Sequence, residues 1–347
     1  MNAFTKPVVG VDTAKNVFQL YTVDMETGEV ISKQIKRGQF LPWFANRMPC
    51  LVGMEACGGS QHWARKLQEL GHEVKMMPGK MVKAFVNGNK SDAADARAIW
   101  LAAQQHGVKA VAVKTEAQQA VLAMHRVRQQ LVKSRTAQRN ELRGLLAEYG
   151  EVFGLGRSAF NAGMKAGLER LSERLPTSLI DTFREQWEEL TRLDKRIKSI
   201  EARLLAWLRQ DRATQAIAVI PGVGLLTATA AVATMGQAKA FRSGREFAAW
   251  IGLVPAQTGT GGKLRLLGIS KRGDTYLRTL LIHGARAVQM HTKAPSKWLQ
   301  DIAMRRPANV VTVALANKMA RTIWAVLAHD CGYSESHISV RPERAAA

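Results

Sequence analysis

Two short apolar runs that each end in an acid, Pro7-Val8-Val9-Gly10-Val11-Asp12 and Leu51-Val52-Gly53-Met54-Glu55, constrain this chain more than any other feature. Runs of this length rich in valine read as buried strands. Open α/β sheets place their chemistry just beyond the carboxyl ends of strands, and two neighbouring parallel strands would bring Asp12 and Glu55 together there. Downstream, Asp92 and Asp95 are spaced i,i+3 and share one face of a helix. Four grouped carboxylates repel one another unless cations neutralise them. Hard divalent ions with oxygen ligands answer that need, and two Mg²⁺ held about 3.5–4 Å apart can activate an attacking oxygen and stabilise a leaving one in phosphoryl transfer. Taken singly, Asp92 and Asp95 also suit the first turn of a helix as dipole partners, and Asp12 suits the start of a turn.

The surrounding pattern supports a sheet. Strands are predicted at Val8 to Asp12, Val17 to Val23 and Glu29 to Ile35, then a helix at Phe40 to Arg47 and the strand ending in Glu55. A helix at Ser60 to Leu70, a strand at Glu73 to Met77, a short helix near Val82 and a helix from Asp92 to Gln105 follow. Three meandering strands, then helix, strand, helix, strand, helix is the order of the ribonuclease H fold, which carries its acids on the first strand, the fourth strand and the last helix.

Lys and Arg total 50 against 28 Asp and Glu, a net charge of +22 that makes a phosphate polymer the expected partner. No apolar stretch of about 18 residues and no amino-terminal signal pattern is read, so a soluble cytoplasmic protein with no membrane partner is expected. Cys50, Cys57 and Cys331 lack metal-ligand spacing and are expected to be reduced and structural.

From Glu116 to Tyr149 strand character gives way to one long basic helix carrying His125, Arg126, Arg128, Lys133, Arg135, Arg139 and Arg143. A second helix, Thr177 to Leu208, has a single apolar stripe from Phe183 to Trp207. The Gly-containing stretch from Gly154 to Gly167 is expected to let the two pair as an antiparallel hairpin. Ile220-Pro221-Gly222-Val223-Gly224 before the small-residue helix Thr227 to Met235 has the form of a helix-hairpin-helix turn, whose Gly222 and Gly224 would let backbone amides approach phosphate oxygens. Phe247 to Pro255 reads as a packed helix ending at a breaker, Gln257 to Lys263 as a loop, and helices follow at Thr275 to Met290 and Asn309 to His329. Thr260 in that loop stands near Lys263, Arg265, Ser270, Lys271 and Arg272. Its hydroxyl could attack a phosphodiester, or the loop could simply cradle phosphate through its amides. The spacing is not that of a P-loop.

Gly10-Val11-Asp12-Thr13-Ala14-Lys15, Met54-Glu55-Ala56 and Lys90-Ser91-Asp92-Ala93-Ala94-Asp95-Ala96-Arg97 resemble the Asp-Glu-Asp-Asp domain of the insertion sequence 110 family of transposases. The carboxyl half resembles that family's second domain through Ile220 to Gly224, Phe247 to Pro255 and Gly268 to Asp274. Gly261-Gly262-Lys263 and the run Tyr276 to Ala287 look most like the 1111 subgroup. The resemblance implies a RuvC-like α/β domain over residues 1–112, an antiparallel coiled-coil connector over 113–212, a mostly α-helical transposase domain over 213–333 and a tail over 334–347. It further implies a recombinase guided by a noncoding bridge RNA that pairs with donor and target DNA. Such a protein works as a dimer to tetramer, with active sites composed from different subunits.

On that resemblance Asp12, Glu55, Asp92 and Asp95 are the Mg²⁺ ligands. The family's nucleophilic serine corresponds to Thr260, whose β-methyl crowds attack; Ser270 is the nearest alternative hydroxyl, although its place in Ile269-Ser270-Lys271-Arg272-Gly273 suggests a phosphate-binding or helix-capping role and it counts among the expected nucleic-acid contacts. Lys15, Arg126, Arg128, Lys133, Arg135, Arg139, Lys263, Arg265, Lys271 and Arg272 are the expected nucleic-acid contacts. Three rivals are carried: a hydrolytic nuclease of the Holliday-junction resolvase type using the same acids, a non-catalytic architectural nucleic-acid protein, and an actin-like ATPase. The last lacks the second Asp-Gly loop that it needs.

Overall fold

A computed structural model describes residues 6–89 and 91–335, and the predicted tail beyond residue 335 lies outside them. The chain divides into two compact units, Met1–Glu116 and Ala117–Ala347.

The first unit is a five-stranded mixed sheet. β1 (Val8–Thr13), β2 (Val17–Val23) and β3 (Val30–Lys36) form an antiparallel meander, while β4 (Leu51–Glu55) and β5 (Glu73–Met77) are parallel to β1, giving the order β3-β2-β1-β4-β5. Side chains alternate across the sheet. Val9 and Val11 face a core closed by α1 (Phe40–Ala45) and α2 (Ser60–Glu69), in which Phe18, Phe40, Phe44 and Trp63 meet edge-on or tilted with centroids 4.6–5.1 Å apart. Burying one such ring contributes about 1.5–3 kcal/mol. Val8 and Gly10 face the other way, toward α4 (Asp92–Ala103); a one-turn helix α3 (Gly79–Val82) precedes it.

Gly10 and Gly53 make the contact with α4 possible. A Cβ on Gly10 would lie 2.3 Å from the Ala96 carbonyl oxygen and 2.6 Å from the Trp100 amide nitrogen; one on Gly53 would lie 2.7 Å from the Ala103 Cβ. At Gly10 the helix backbone, and at Gly53 the helix side chains Ala103 and Ile99, occupy the space a Cβ would need. Ser91 caps the helix by accepting from the Ala94 amide, and Lys75 Nζ donates to the Ala103 and Gln105 carbonyls at its other end.

In the second unit α5 (Glu116–Glu148) and α7 (Thr177–Gln210) run antiparallel, joined by Arg128–Glu201 and Arg135–Asp194 pairs at 2.7 Å and by Leu131, Leu193, Ile197 and Leu204. The stretch expected as a turn is instead a helix, α6 (Gly156–Ser172), whose Phe160, Met164, Leu168 and Leu171 bury against Leu142, Leu146, Ile180 and Phe183. Its glycines serve packing: a Cβ on Gly163 would lie 2.8 Å from the Phe153 ring.

The remaining helices are α8 (Arg212–Ala218), α9 (Leu225–Met235), α10 (Gly244–Ile251), α11 (Thr275–His291), α12 (Lys297–Ala303) and α13 (Ala308–His329). All but α12 share one core, including Ile217, Ala231, Phe247, Leu281 and Ile323. α13 corrects the expectation that no stretch is long and apolar enough to span a membrane: by length and composition it is. Its Val311, Ala316, Met319, Ala320, Ile323 and Val326 are nevertheless buried within the unit. The helix predicted to run to Pro255 ends at Ile251, because Gly252 takes a left-handed conformation and caps it. The expected loop after it is a hairpin of β6 (Pro255–Thr260) and β7 (Lys263–Ile269).

A buried polar chain ties four of these helices. Thr229 Oγ1 donates to the Leu225 carbonyl at 2.8 Å, so it accepts from His125 Nε2–H at 2.9 Å, and His125 Nδ1 accepts from the Tyr276 hydroxyl at 2.9 Å. Arg128 donates to the same Tyr276 oxygen and to Glu201. Burial, then the Arg128 charge, depress the His125 pKa to about 4. The three cysteines are free, as expected, but only Cys50 is buried, and burial pushes its thiol up to about 11.

Candidate active site and nucleic-acid interface

The four acids are positioned by three elements at one end of the sheet. Val11 pairs with Met54 across parallel β1 and β4, which makes Asp12 and Glu55 the next positions on adjacent strands, on the same face as Gly10 and Gly53. α4 runs antiparallel to β1: Trp100 Nε1 donates to the Val8 carbonyl at 3.1 Å, and Ala96 lies over Gly10. Four helical residues rise about 6 Å and two strand residues about 6.6 Å. One turn before Ala96, Asp92 therefore stands at the level of Asp12, with Asp95 on the same helix face.

Asp92 is exposed, while Asp12, Glu55 and Asp95 are half-buried. The Glu55 carboxylate fills space that Gly79 leaves open, where a Cβ would come within 2.5 Å of Oε1. Among the described residues no three acidic, histidine or cysteine side chains gather round a common point as a metal-ligand set. The backbone thus brings the four positions to one end, and their all-oxygen donor chemistry fits a hard divalent cation.

Beside the acids opens a cleft of about 420 Å³ lined by Thr13, Lys15, Arg37, Cys57, His62 and Trp63. Thr13 Oγ1 and Cys57 Sγ are 3.1 Å apart, and the Arg37 guanidinium lies 4.7 Å above the Trp63 ring. Sequence reasoning found Lys15 but neither Arg37 nor His62, which only the fold brings beside it.

The second unit presents Thr260 at the tip of the β6–β7 hairpin. Gly261 and Gly262 have φ of 54° and 78°, the paired left-handed conformations of a two-residue type I′ turn. Thr260 pairs with Lys263 and Thr258 with Arg265, and directly opposed residues share a face. One face therefore carries two hydroxyls and two cations; the other carries Gly259, Leu264 and Leu266, with the two leucines 66% and 60% exposed. Thr260, Lys263 and Arg265 are themselves exposed.

The base of the hairpin is held firmly. Arg278, buried on α11, donates from Nη1 to the Ile251 and Arg272 carbonyls at 2.8 and 2.7 Å. The Ser270 and Lys271 amides bond to the Val254 and Gly252 carbonyls. Ser270 Oγ is buried and finds no partner among the described residues, while Lys271 and Arg272 are exposed. The part of Arg278 in holding two chain segments depends on geometry and has no local sequence signal.

The other expected contacts divide. Gly222 is half-buried with φ 81°, and its carbonyl oxygen would lie 2.0 Å from a Cβ on Gly284, so this glycine packs against α11. Gly224 is exposed at the start of α9. On α5, Arg126 and Lys133 are exposed, whereas Arg128, Arg135 and Arg139 turn toward α7 with side chains 13–18% exposed.

A family model described as "Transposase", for the DEDD domain of IS110 elements, matches residues 9–151, and a second, "Transposase IS116/IS110/IS902 family", matches residues 214–299. The first span contains all four acids and the second the whole β6–β7 hairpin. The chain is 48% identical over 330 residues to a "Probable family 20 transposase" of Pseudomonas aeruginosa, covering 94% of this chain and 98% of that one. It is 41% identical over 331 residues to the "Transposase for insertion sequence element IS1111A" of Coxiella burnetii, covering 94% and 91%. With the Yersinia enterocolitica transposase for IS1328 it shares 35% over 332 residues, covering 94% and 98%. On these matches, with which the mixed α/β first unit and the mostly helical second unit are consistent, the chain belongs to the IS110 family of transposases.

Proposed function

We propose that this transposase moves its element by cutting and rejoining DNA through a covalent link between Thr260 and a 5′ phosphate. The observation that carries the reading is the hairpin face on which the Thr260 hydroxyl stands beside Lys263 and Arg265. Two cations there offset the charge that builds on phosphate oxygens during attack. The Thr260 oxygen displaces the 3′ oxygen from phosphorus, losing its proton as the 3′ oxygen gains one. Rejoining reverses the exchange with a new 3′ hydroxyl, so the phosphodiester energy is conserved in the enzyme link.

Asp12, Glu55, Asp92 and Asp95 would hold Mg²⁺, which all-oxygen donors favour. Bound there, the ions supply charge that activates the attacking oxygen and stabilises the leaving one. The strand order β3-β2-β1-β4-β5 with acids on β1, β4 and α4 supports a ribonuclease H-like, RuvC-type first domain. The paired α5 and α7 support an antiparallel coiled-coil connector. Guidance by an element-encoded bridge RNA, and assembly to a tetramer whose sites combine subunits, rest on the family resemblance.

The test combines purified protein, Mg²⁺, the noncoding RNA transcribed beside the gene, donor and target DNA on a denaturing gel. A protein–DNA adduct that needs the RNA and disappears in both Asp12→Ala and Thr260→Ala is expected. Cut DNA without an adduct, unchanged by Thr260→Ala, makes water the nucleophile and overturns the reading.

A further inference from the structure

Asp194 on α7 is surrounded by more arginine than it can neutralise. Arg135 Nη1 and Arg157 Nη1 lie 2.7 and 3.3 Å from its Oδ1, and Arg139 Nη2 lies 4.0 Å from Oδ2. Arg143 stands close enough for its charge to act on Arg139; it donates to the Phe153 and Gly154 carbonyls at 2.7 Å and stacks over Phe160. The Arg135, Arg139 and Asp194 side chains are 18%, 13% and 19% exposed. The Nε atoms of both Arg135 and Arg139 are buried with no acceptor among the described residues. Burial and the neighbouring Arg135 charge lower the Arg139 pKa, with Asp194 acting in the opposite sense.

A buried guanidinium N–H without an acceptor is costly, and like charges nearby add to the cost. Three arginines on one carboxylate leave two positive charges uncompensated. Arg157, at 51%, opens the group to solvent. We propose that Arg135, Arg139, Arg143 and Arg157 form a phosphate-binding site on α5 and α6, organised by Asp194, that receives the phosphodiester backbone of nucleic acid. Guanidinium forks match phosphate oxygens in pairs, and Asp194 holds them in place before the anion arrives. The excess of 50 basic over 28 acidic residues favours a phosphate polymer over the acids of a second copy as the occupant. This deepens the reading above by locating a backbone contact away from the acids and Thr260.

The test measures affinity of the full chain for a DNA duplex and for an RNA hairpin across a salt series, using Arg157→Ala and the milder Arg139→Lys. All measurements are made in an Asp12→Ala background, so that they do not depend on strand cutting. The expected result with Arg157→Ala is a slope of log affinity against log salt that is shallower by about 0.9 on the duplex. Its melting temperature should be unchanged or higher, because a surplus charge has gone. If only the RNA arm responds, the phosphate belongs to RNA; if only the duplex arm responds, it belongs to DNA. Unchanged slopes in both arms, or a fall in sedimenting mass with slopes unchanged, overturn the proposal, the latter by assigning the arginines to self-association. Loss of the covalent adduct in Thr260→Ala bears on the cutting mechanism alone and leaves this outcome independent.

Discussion

At His125 both ring nitrogens are committed while the ring is neutral, because Thr229 accepts from one and Tyr276 donates to the other. Protonation would put a second donor against the Tyr276 hydroxyl and a charge in a buried site. With the folded pKa near 4 and the ordinary value 6.5, the unfolded chain binds the extra proton first as pH falls. The stability from this residue is therefore complete above pH 6.5, is lost between pH 6.5 and 4, and amounts to about 3 kcal/mol. Urea unfolding midpoints across that range should fall in the wild type and fall less in His125→Gln. The sequence marked His125 as one of a row of basic residues; its actual partners come from α9 and α11, more than a hundred positions away. Thr260 could be singled out because a hydroxyl flanked by glycines and cations is a local pattern, and the fold places it at an exposed hairpin tip. Arg157 and Asp194 were not, because their meaning depends on three helices converging.

Whole elements were legible where one periodicity stood clear. Val8 to Asp12 and Leu51 to Glu55 announced β1 and β4 because valine-rich runs bounded by turn residues have few other solutions. α6 was missed because its glycines were read as a break, although Phe160, Met164 and Leu168 recur every four residues. β6 and β7 were missed for a similar reason: Gly261-Gly262 is also the turn that a two-residue hairpin requires. α4 packs closely on β1 at Gly10. Gly10→Ala should place a methyl group against the helix backbone and destabilise the first unit by about 3 kcal/mol or more. Gly38→Ala, where nothing lies within 4 Å, should change little. Thermal melting of the two variants compares them directly.

At the scale of the whole molecule, each unit has its own buried clusters: Val9 to Met76 and Val8 to Val108 in the first, and those centred on Phe247, Phe160 and Leu204 in the second. Residues 1–116 expressed alone should therefore unfold cooperatively with heat, as followed by circular dichroism; a non-cooperative melt would show that the first unit needs the second. The net charge announced the class of partner from composition, whereas the arginines' convergence on one aspartate could not be read from a count. Since backbone atoms set the distance between helix and sheet at Gly10, exchanges among core residues such as Phe18, Phe40 or Met76 do not alter it. The carboxylate-bearing positions are thus insulated from drift in the core, and the unit can change most of its interior while keeping the same working dimensions at its edge.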